Sequence, residues 1–467
     1  MQNSFEEKVK QLWSDDNGYF KKNSAVFISR APGRLDLMGG NDDYTGGLVF
    51  ESTIREGTFA AAQKSEDSTV ELNNKTAGEN GWQSHFRISL DALTDEETVR
   101  NIVNQSPALR WTAYVLGNIF YLKKKYPHRV INGVRLFIES TVPPNRGVSS
   151  SAAIEVAVMK AAAAAYGIDL SGLSLALACQ WVENTIAESA CGIMDQAAVV
   201  TGKEGFIMPL VCQPCNPEPL IKLPEQLKIW GIDSGVSHQV SGIEYEAARA
   251  AAFMGYKIIC DHAQIAVTHD RSADIERYTD PVWNGYLANL SVSEFVEKYE
   301  ALLPKQSDRE SYLRSYSVHV DPFTILREQV NYAVWANTKY AVEENHRVQL
   351  FSELSRGAAL SHSERAYALM GELMYESHNA YSSCGLGSKA TDLLVQLCKK
   401  EGIANGIYGA KITGGGAGGT VAILASANAG TVVQQIFNNY AAAGIGEPYI
   451  FEGSSDGADS YGIKVIQ

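Results

Sequence analysis

The sequence predicts an α+β protein built as two domains, and three observations lead there. The chain has 467 residues, more than one ordinary core organises. Candidate strands and helices are mixed without the regular alternation that a doubly wound parallel sheet requires. A Pro-rich stretch, Gln213 to Pro224, separates a strand-rich first half from a helix-rich second half. The expected division is 1–215 and 216–467.

Taken in order, residues 1–22 read as a polar amphipathic helix and Ala25 to Ser29 as a strand. That strand runs into a glycine-framed loop, Arg30 to Gly47. Leu48 to Phe50, Thr58 to Ala62 and Ser68 to Leu72 follow as strands, and Asn73 to Gly81 as a polar turn region. Leu109 to Lys124 has the apolar face of a helix, and Gly133 to Ser140 is a clean strand. Helices are expected over 151–166 and 171–188, and strands over 205–211 and 227–233. The second half predicts helices over 244–260, 291–303 and 347–379, with irregular charged sequence near 305–320. Tyr408 to Leu424 reads as strand, glycine loop, strand; a helix over 430–443 and strands near 448–452 and 462–466 close the chain.

Composition excludes several classes. A net charge of −13 argues against non-specific nucleic-acid binding, so any phosphate chemistry needs local positive charge. No apolar run reaches the length of a membrane span, and Met1 to Lys8 lacks the basic and apolar regions of a signal peptide. The expected compartment is the cytoplasm, with no membrane partner and a monomer or small homo-oligomer. Seven cysteines, an odd number without a framework, predict free thiols. Cys212 and Cys215 form a lone C-x-x-C with no second half to complete a zinc set.

Four segments carry chemistry-bearing residues. The turn Pro143-Pro-Asn-Arg-Gly147 leads through Val148 into Ser149, Ser150 and Ser151, then into the Ala-rich run that starts at Ala152. The serines sit where an N-cap and first helical turn belong, so free N–H groups and the helix dipole make a phosphate site. The alternative is an ordinary Ser-capped helix. Gly414 to Gly419 satisfies G-x-G-x-x-G, but Thr420-Val-Ala-Ile-Leu after it reads as a strand where a dinucleotide fold needs a helix. A glycine hairpin packed against another loop or a phosphate fits better, with a tight turn as the plainer reading. Glu183 and Asp195 lie twelve residues apart around a Ser-Ala-Cys-Gly192 break that lets Asp195 project into a cleft. Either carboxylate alone would be a surface position. Arg34 and Asp43 sit in the loop Arg30–Gly47, suited to a polyol or to a salt-bridged hairpin.

Together these segments resemble the GHMP small-molecule kinases, and the resemblance runs along the whole chain in the expected order. It implies a two-domain kinase fold with the active site in the cleft between the domains. The closest likeness is to the sugar-1-kinase branch: the kinase domain of L-arabinokinases, then galactokinases. It rests on Arg30-Ala-Pro-Gly-Arg-Leu-Asp-Leu-Met-Gly-Gly40, Gly147-Val-Ser-Ser-Ser-Ala-Ala153, Cys191-Gly-Ile-Met-Asp-Gln196, Trp230-Gly-Ile-Asp-Ser-Gly235, Ala252-Phe-Met-Gly255 and Cys384-Gly-Leu-Gly-Ser388.

The resemblance implies that Asp195 takes the proton of the anomeric hydroxyl and that Arg34 pairs with it and with the transferring phosphoryl. It implies Ser151 and Glu183 as Mg²⁺ ligands, and Gly147, Val148, Ser149, Ser150, Ser151 and Ala152 around the phosphates of ATP. Gly40, Asn41, Asp43, Gly192, Tyr245, Gly415 and Gly416 are the implied sugar contacts.

One departure bears on the substrate. Galactokinases read Gly-Glu-His-x-Asp-Tyr where this chain has Gly39-Gly40-Asn41-Asp42-Asp43-Tyr44. The family's Glu holds the sugar's 6-hydroxyl, and Gly40 has no side chain to do so. L-Arabinopyranose is D-galactose without that hydroxymethyl group. The expected reaction is therefore phosphorylation of L-arabinose at C1. The alternatives are D-galactose, or a uronic acid held by a cation such as Lys411, Arg146 or Arg249. A sugar- and ATP-binding sensor without turnover, and a redox or metal protein built on Cys212 and Cys215, are the other classes.

Overall fold

A computed structural model describes residues 2–14, 18–22, 24–236, 242–271 and 276–467. Helix α1 (Gln2–Ser14) opens the chain. Strand β1 (Val26–Met38) is a single element of 13 residues, so the first half of the expected loop Arg30–Gly47 is strand. β2 (Leu48–Lys64) is likewise one strand of 17 residues where the sequence reads as two. The reason is burial on both faces: almost every position is covered, so neither strand shows the period-two alternation that marks its ends. β1 also carries register shifts between Pro32 and Arg34 and between Asp36 and Met38. Such bulges bend a strand and re-aim its side chains.

β3 (Thr69–Asn74), β4 (His85–Ser89), α2 (Ala113–Lys125) and β5 (Val134–Ser140) follow. A short helix, Lys75–Glu79, replaces the expected polar turn, with Asn74 accepting at its N-cap from Ala77 N. Helices α3 (Ser150–Ala165), α4 (Gly172–Thr185) and α5 (Met194–Thr201) precede β6 (Phe206–Val211). The first sheet runs β4-β3-β5-β2-β1, with β3 and β5 parallel and the other pairs antiparallel; β6 lies on the first residues of β2. α2 to α5 cover one face over an Ala- and Val-rich core.

β7 (Leu227–Asp233) begins a second sheet. α6 (Ile243–His262), α7 (Val334–Ser361), α8 (Glu364–Ser383) and α9 (Lys389–Glu401) come next. The single helix expected over 347–379 is two: His362 adopts φ 51° and Ser363 caps α8 through Ala366 N. The helix expected over 291–303 is a series of single turns of differing pitch. β8 (Ile407–Ile412), β9 (Thr420–Ser426), α10 (Gly430–Ala442), β10 (Tyr449–Glu452) and β11 (Lys464–Ile466) complete the chain. The second sheet is antiparallel, ordered β8-β9-β7-β10.

The chain crosses between the sheets more than once. Asn216–Pro217 and Ile221–Lys222, inside the Pro-rich stretch, pair with β6, and β11 returns to pair with β1. A shared core joins Leu35, Leu37 and Phe50 of the first sheet to Phe351, Met370, Ala422 and Leu424 of the second half. Among the described residues no helix is long and apolar enough to cross a membrane.

Candidate active site

The site lies where β1, the start of α3, the start of α5 and the β8–β9 hairpin meet. The bulge before Arg34 directs a side chain that is only 2% exposed. Its Nε and Nη2 both donate to Asp195 Oδ1, at 2.9 and 2.5 Å. Nη1 donates to the Gly147 carbonyl at 2.7 Å, and Glu51 lies 3.2 Å from Nε. Burial by itself would lower the Arg34 pKa. Asp195, Glu51 and Asp36 reverse that and hold the guanidinium above its usual range. Arg34 is therefore a fixed positive charge that ties the Asp195 carboxylate to the serine loop.

The serine loop differs from a Ser-capped helix in one respect. Ser149 adopts φ 60° and its side chain makes no cap bond; α3 starts at Ser150. The first-turn N–H groups are thus left without a side-chain cap, and the buried Ser149 Oγ has no partner. Val148 and Ala152 bury their side chains in the core, so at the site they offer backbone alone; the Val148 carbonyl accepts from Arg34 N at 3.2 Å. The glycine hairpin packs on this loop. A Cβ on Gly414 would come within 2.6 Å of the Gly147 carbonyl, and Thr420 Oγ1 donates to the Arg146 carbonyl at 2.8 Å.

Ser151 lies beside Glu183 and favours its charged form; burial and then the Asp195 charge outweigh this and push that carboxyl up to about 7. Gln196 Nε2 donates to Glu183 at 2.6 Å and to Glu155 at 3.3 Å. Glu155 Oε1 is buried without a partner. These are hard oxygen donors, and among the described residues no group of three or more His, Cys, Asp or Glu forms a closed cage. That donor set fits Mg²⁺, which binds through one or two protein oxygens plus substrate phosphates.

The expected sugar residues are only partly brought together. Asp43 sits against Gly192, where a Cβ would lie 1.8 Å from Asp43 Oδ2. Burial first and Asp195 second push the Asp43 carboxyl up to about 6, with Arg249 opposing. Tyr245 stands edge-on to Tyr44 and touches the Gly415 position, and Gly416 packs on Tyr381. Asn41 turns inward instead: its Oδ1 accepts from the Tyr44 hydroxyl at 2.7 Å. The space a Gly40 side chain would need is filled, since a Cβ there would lie 2.0 Å from Asp36 Oδ2. Lys411 Nζ donates to that same Oδ2 at 2.7 Å, both side chains being fully buried.

Each cation considered for a uronic acid already faces a carboxylate: Lys411 with Asp36, Arg249 with Asp321, Arg146 with Asp233. Cys212 and Cys215 are free, buried thiols, and burial raises the pKa of both, Cys215 to about 12. That is the opposite of a redox-active pair. Residues the sequence reading passes over are Asp36, Glu51, Glu155 and Gln196. For Glu155 the signal was present, because it lies one turn after Ser151 on the same helix face.

Known proteins carry the same organisation. Residues 18–64 match the galactokinase galactose-binding signature, 113–203 the GHMP kinases N terminal domain and 356–442 the GHMP kinases C terminal domain. An L-arabinokinase of Arabidopsis thaliana is 34% identical over 99% of the chain, which spans about half (49%) of that relative's length. A galactokinase of Chloroflexus aurantiacus is 29% identical over 89% of the chain and 88% of its own length. The crystal structure of Lactococcus lactis galactokinase complexed with galactose superposes with a TM-score of 0.73 at 20% identity, covering 98% of each chain. A mevalonate kinase structure gives 0.53 at 14% identity, covering 92% of this chain and 99% of its own. Three signatures in order on one fold thus give the chain the N-terminal and C-terminal domains of the GHMP kinases together with the galactokinase galactose-binding signature.

Proposed function

We propose that the protein transfers the γ-phosphoryl group of ATP to the C1 hydroxyl of L-arabinose. The observation that carries this is the Arg34–Asp195 pair held beside Ser151 and Glu183 at the uncapped start of α3. The relatives named L-arabinokinase and galactokinase support a sugar 1-kinase acting with ATP. Gly40, backed by Asp36 and Lys411, supports a sugar without a 6-hydroxyl, since a site offers no partner for a group it was not built to bond.

In this reading Asp195 accepts the proton of the C1 hydroxyl as the oxygen attacks phosphorus in line. Arg34 orients Asp195 and neutralises charge that develops on the phosphoryl oxygens. The N–H groups of Ser150 and Ser151 and the Gly414–Gly419 hairpin cradle the triphosphate. Asp43, Tyr245 and the Gly192 backbone hold the sugar. Ser151 and Glu183 would hold Mg²⁺, which supplies positive charge to the phosphates in an acidic chain. We assign the lobes as 1–215 and 216–467, with this site between them and with Asn216–Pro217, Ile221–Lys222 and β11 pairing back onto the first sheet.

The test is a coupled ADP-release assay over L-arabinose, D-galactose, D-galacturonate and D-glucuronate. L-Arabinose is expected to give the highest kcat/KM. Galactose turnover well above arabinose would overturn the argument from Gly40, and sugar binding without ADP release would mark a sensor.

A further inference from the structure

Arg249 lies one turn beyond Tyr245 on α6 and is only 4% exposed. All three of its guanidinium nitrogens are engaged. Nε and Nη2 donate to Asp321 Oδ2 and Oδ1 at 2.8 and 2.9 Å. Nη1 donates to the backbone carbonyls of Ala190 and Cys191 at 3.1 and 3.3 Å. The rings of Tyr44 and Phe323 have their centres 5.0 and 5.2 Å from the guanidinium carbon. Asp321 is aimed in turn: its Oδ2 accepts from Thr324 Oγ1 at 2.7 Å, and its Oδ1 from Phe323 N at 3.3 Å. A planar charged fork bonded on both sides holds its direction in a way that a lysine ammonium does not.

The two carbonyls belong to the break between α4 and α5. Gly192 follows them, packed on Asp43, and Asp195 stands in the first turn of α5. The break carries Glu188 at φ 55°, and α5 starts without a side-chain cap. Cys191 N donates within the first lobe, to Ser189 O at 2.8 Å and Asn184 Oδ1 at 3.0 Å. The carbonyls turn instead to Arg249, a residue of the other lobe. Cys191, Gly192 and Ile193 also border a cavity of about 290 Å³, so packing leaves this segment open on one side. The Arg249 charge further favours the ionised form of Asp43, against burial and Asp195.

We propose that Arg249, aimed by Asp321, is a positioning residue for the sugar: it clamps the Ala190–Gly192 backbone against Asp43 and so sets where the C1 hydroxyl meets Asp195. Buried and with its nitrogens paired, Arg249 acts through that backbone and does not touch the substrate. Tyr245, one turn away on the same helix, is placed by the same contact. A misplacement of about 1 Å at a reacting group costs on the order of 10²-fold in rate. The inference rests on the proposed kinase reading and adds a residue that serves it.

The experiment measures sugar and ATP kinetics by ADP release, with thermal unfolding alongside, in the wild type, Arg249→Met, and Arg249→Met combined with Asp321→Asn. Arg249→Met strands the buried Asp321 carboxylate and is expected to lower Tm. The double variant removes both charges and is expected to recover much of that loss. It restores no donor to Ala190 and Cys191, so kcat/KM for the sugar is expected to stay about 10²-fold down, with KM for ATP within about twofold of wild type. Arg249→Lys keeps the charge beside Asp321 without the fork, and carries the test if the other two do not fold; the same loss confined to the sugar is expected. A double variant that regains sugar kcat/KM together with Tm would overturn the proposal, because the pair would then serve stability alone. So would equal losses for sugar and ATP in the folded variants. A wild type that releases no ADP with any sugar would overturn the kinase reading itself, whereas an active wild type with unaffected variants would overturn only the role of Arg249.

Discussion

Arg34 reaches Asp195 through one shared oxygen, Asp195 Oδ1. Replacing Asp195 with Asn keeps the size but removes the carboxylate we propose as proton acceptor. We expect kcat to fall about 10²–10⁴-fold with the melting temperature little changed, measured by ADP release and thermal unfolding. Asp43 yields a prediction with a sign. Its carboxyl titrates at about 6, so the form that accepts hydroxyl hydrogens is present above that pH and lost below it. KM for the sugar should rise as pH falls through 6, and that limb should vanish in Asp43→Asn. The same shift has the opposite effect on stability. Between the ordinary Asp value, near 4, and 6 the folded state holds the proton more tightly than the unfolded one, so this group's contribution falls as pH rises through that window. The sequence marks Asp195, Arg34 and Asp43 as residues with chemistry. Residue chemistry alone does not pair Arg34 with Asp195, because a contact over 161 positions is set by the fold; the family resemblance implied it.

Among the elements, the α3 start and the β8–β9 hairpin work as a pair. Gly414 combines φ 71° with a backbone carbonyl where a Cβ would go, so neither strain nor clash can relax through a side chain. Gly414→Ala should lose about 1–3 kcal/mol by denaturant unfolding and at least about tenfold in kcat/KM for ATP. Glu183→Ala should raise the Mg²⁺ concentration needed for half-maximal rate far more than it raises KM for the sugar, read from Mg²⁺ titrations at saturating sugar. Helix and strand identities were mostly legible, because α3, α6 and α10 have long apolar or amphipathic runs. The lengths of β1 and β2 were not, since strands buried on both faces lose their alternation. The break at His362 was also hidden: its left-handed conformation depends on how α7 and α8 pack, with no glycine or proline to mark it.

Across the whole molecule, the Asp36–Lys411 pair fastens β1 of the first sheet to β8 of the second. Lys411→Met would leave Asp36 as an uncompensated buried carboxylate and should cost roughly 3–5 kcal/mol in denaturant unfolding. Asp36→Asn with Lys411→Met should recover part of that, since removing both charges of a buried pair is far cheaper than removing one. Because the pair lies directly behind Gly40, the same variants should shift the ratio of kcat/KM between L-arabinose and D-galactose. A change in stability alone, with the ratio fixed, would show that the pair only holds the lobes together.

The sequence by itself determined the α+β class, the four chemical segments, the family they resemble and the absence of a side chain at position 40. Local chemistry suffices for these: glycines, a serine run at a helix start and apolar periodicity are properties of neighbours in the chain. Only the tertiary structure decided what stands behind Gly40 and that Lys411, Arg146 and Arg249 are already paired. The cavity that Asp43 borders belongs to the same group. Its walls come from segments as far apart as Tyr44 and Phe323, and burial and charge pairing between such segments exist only once the chain has closed on itself.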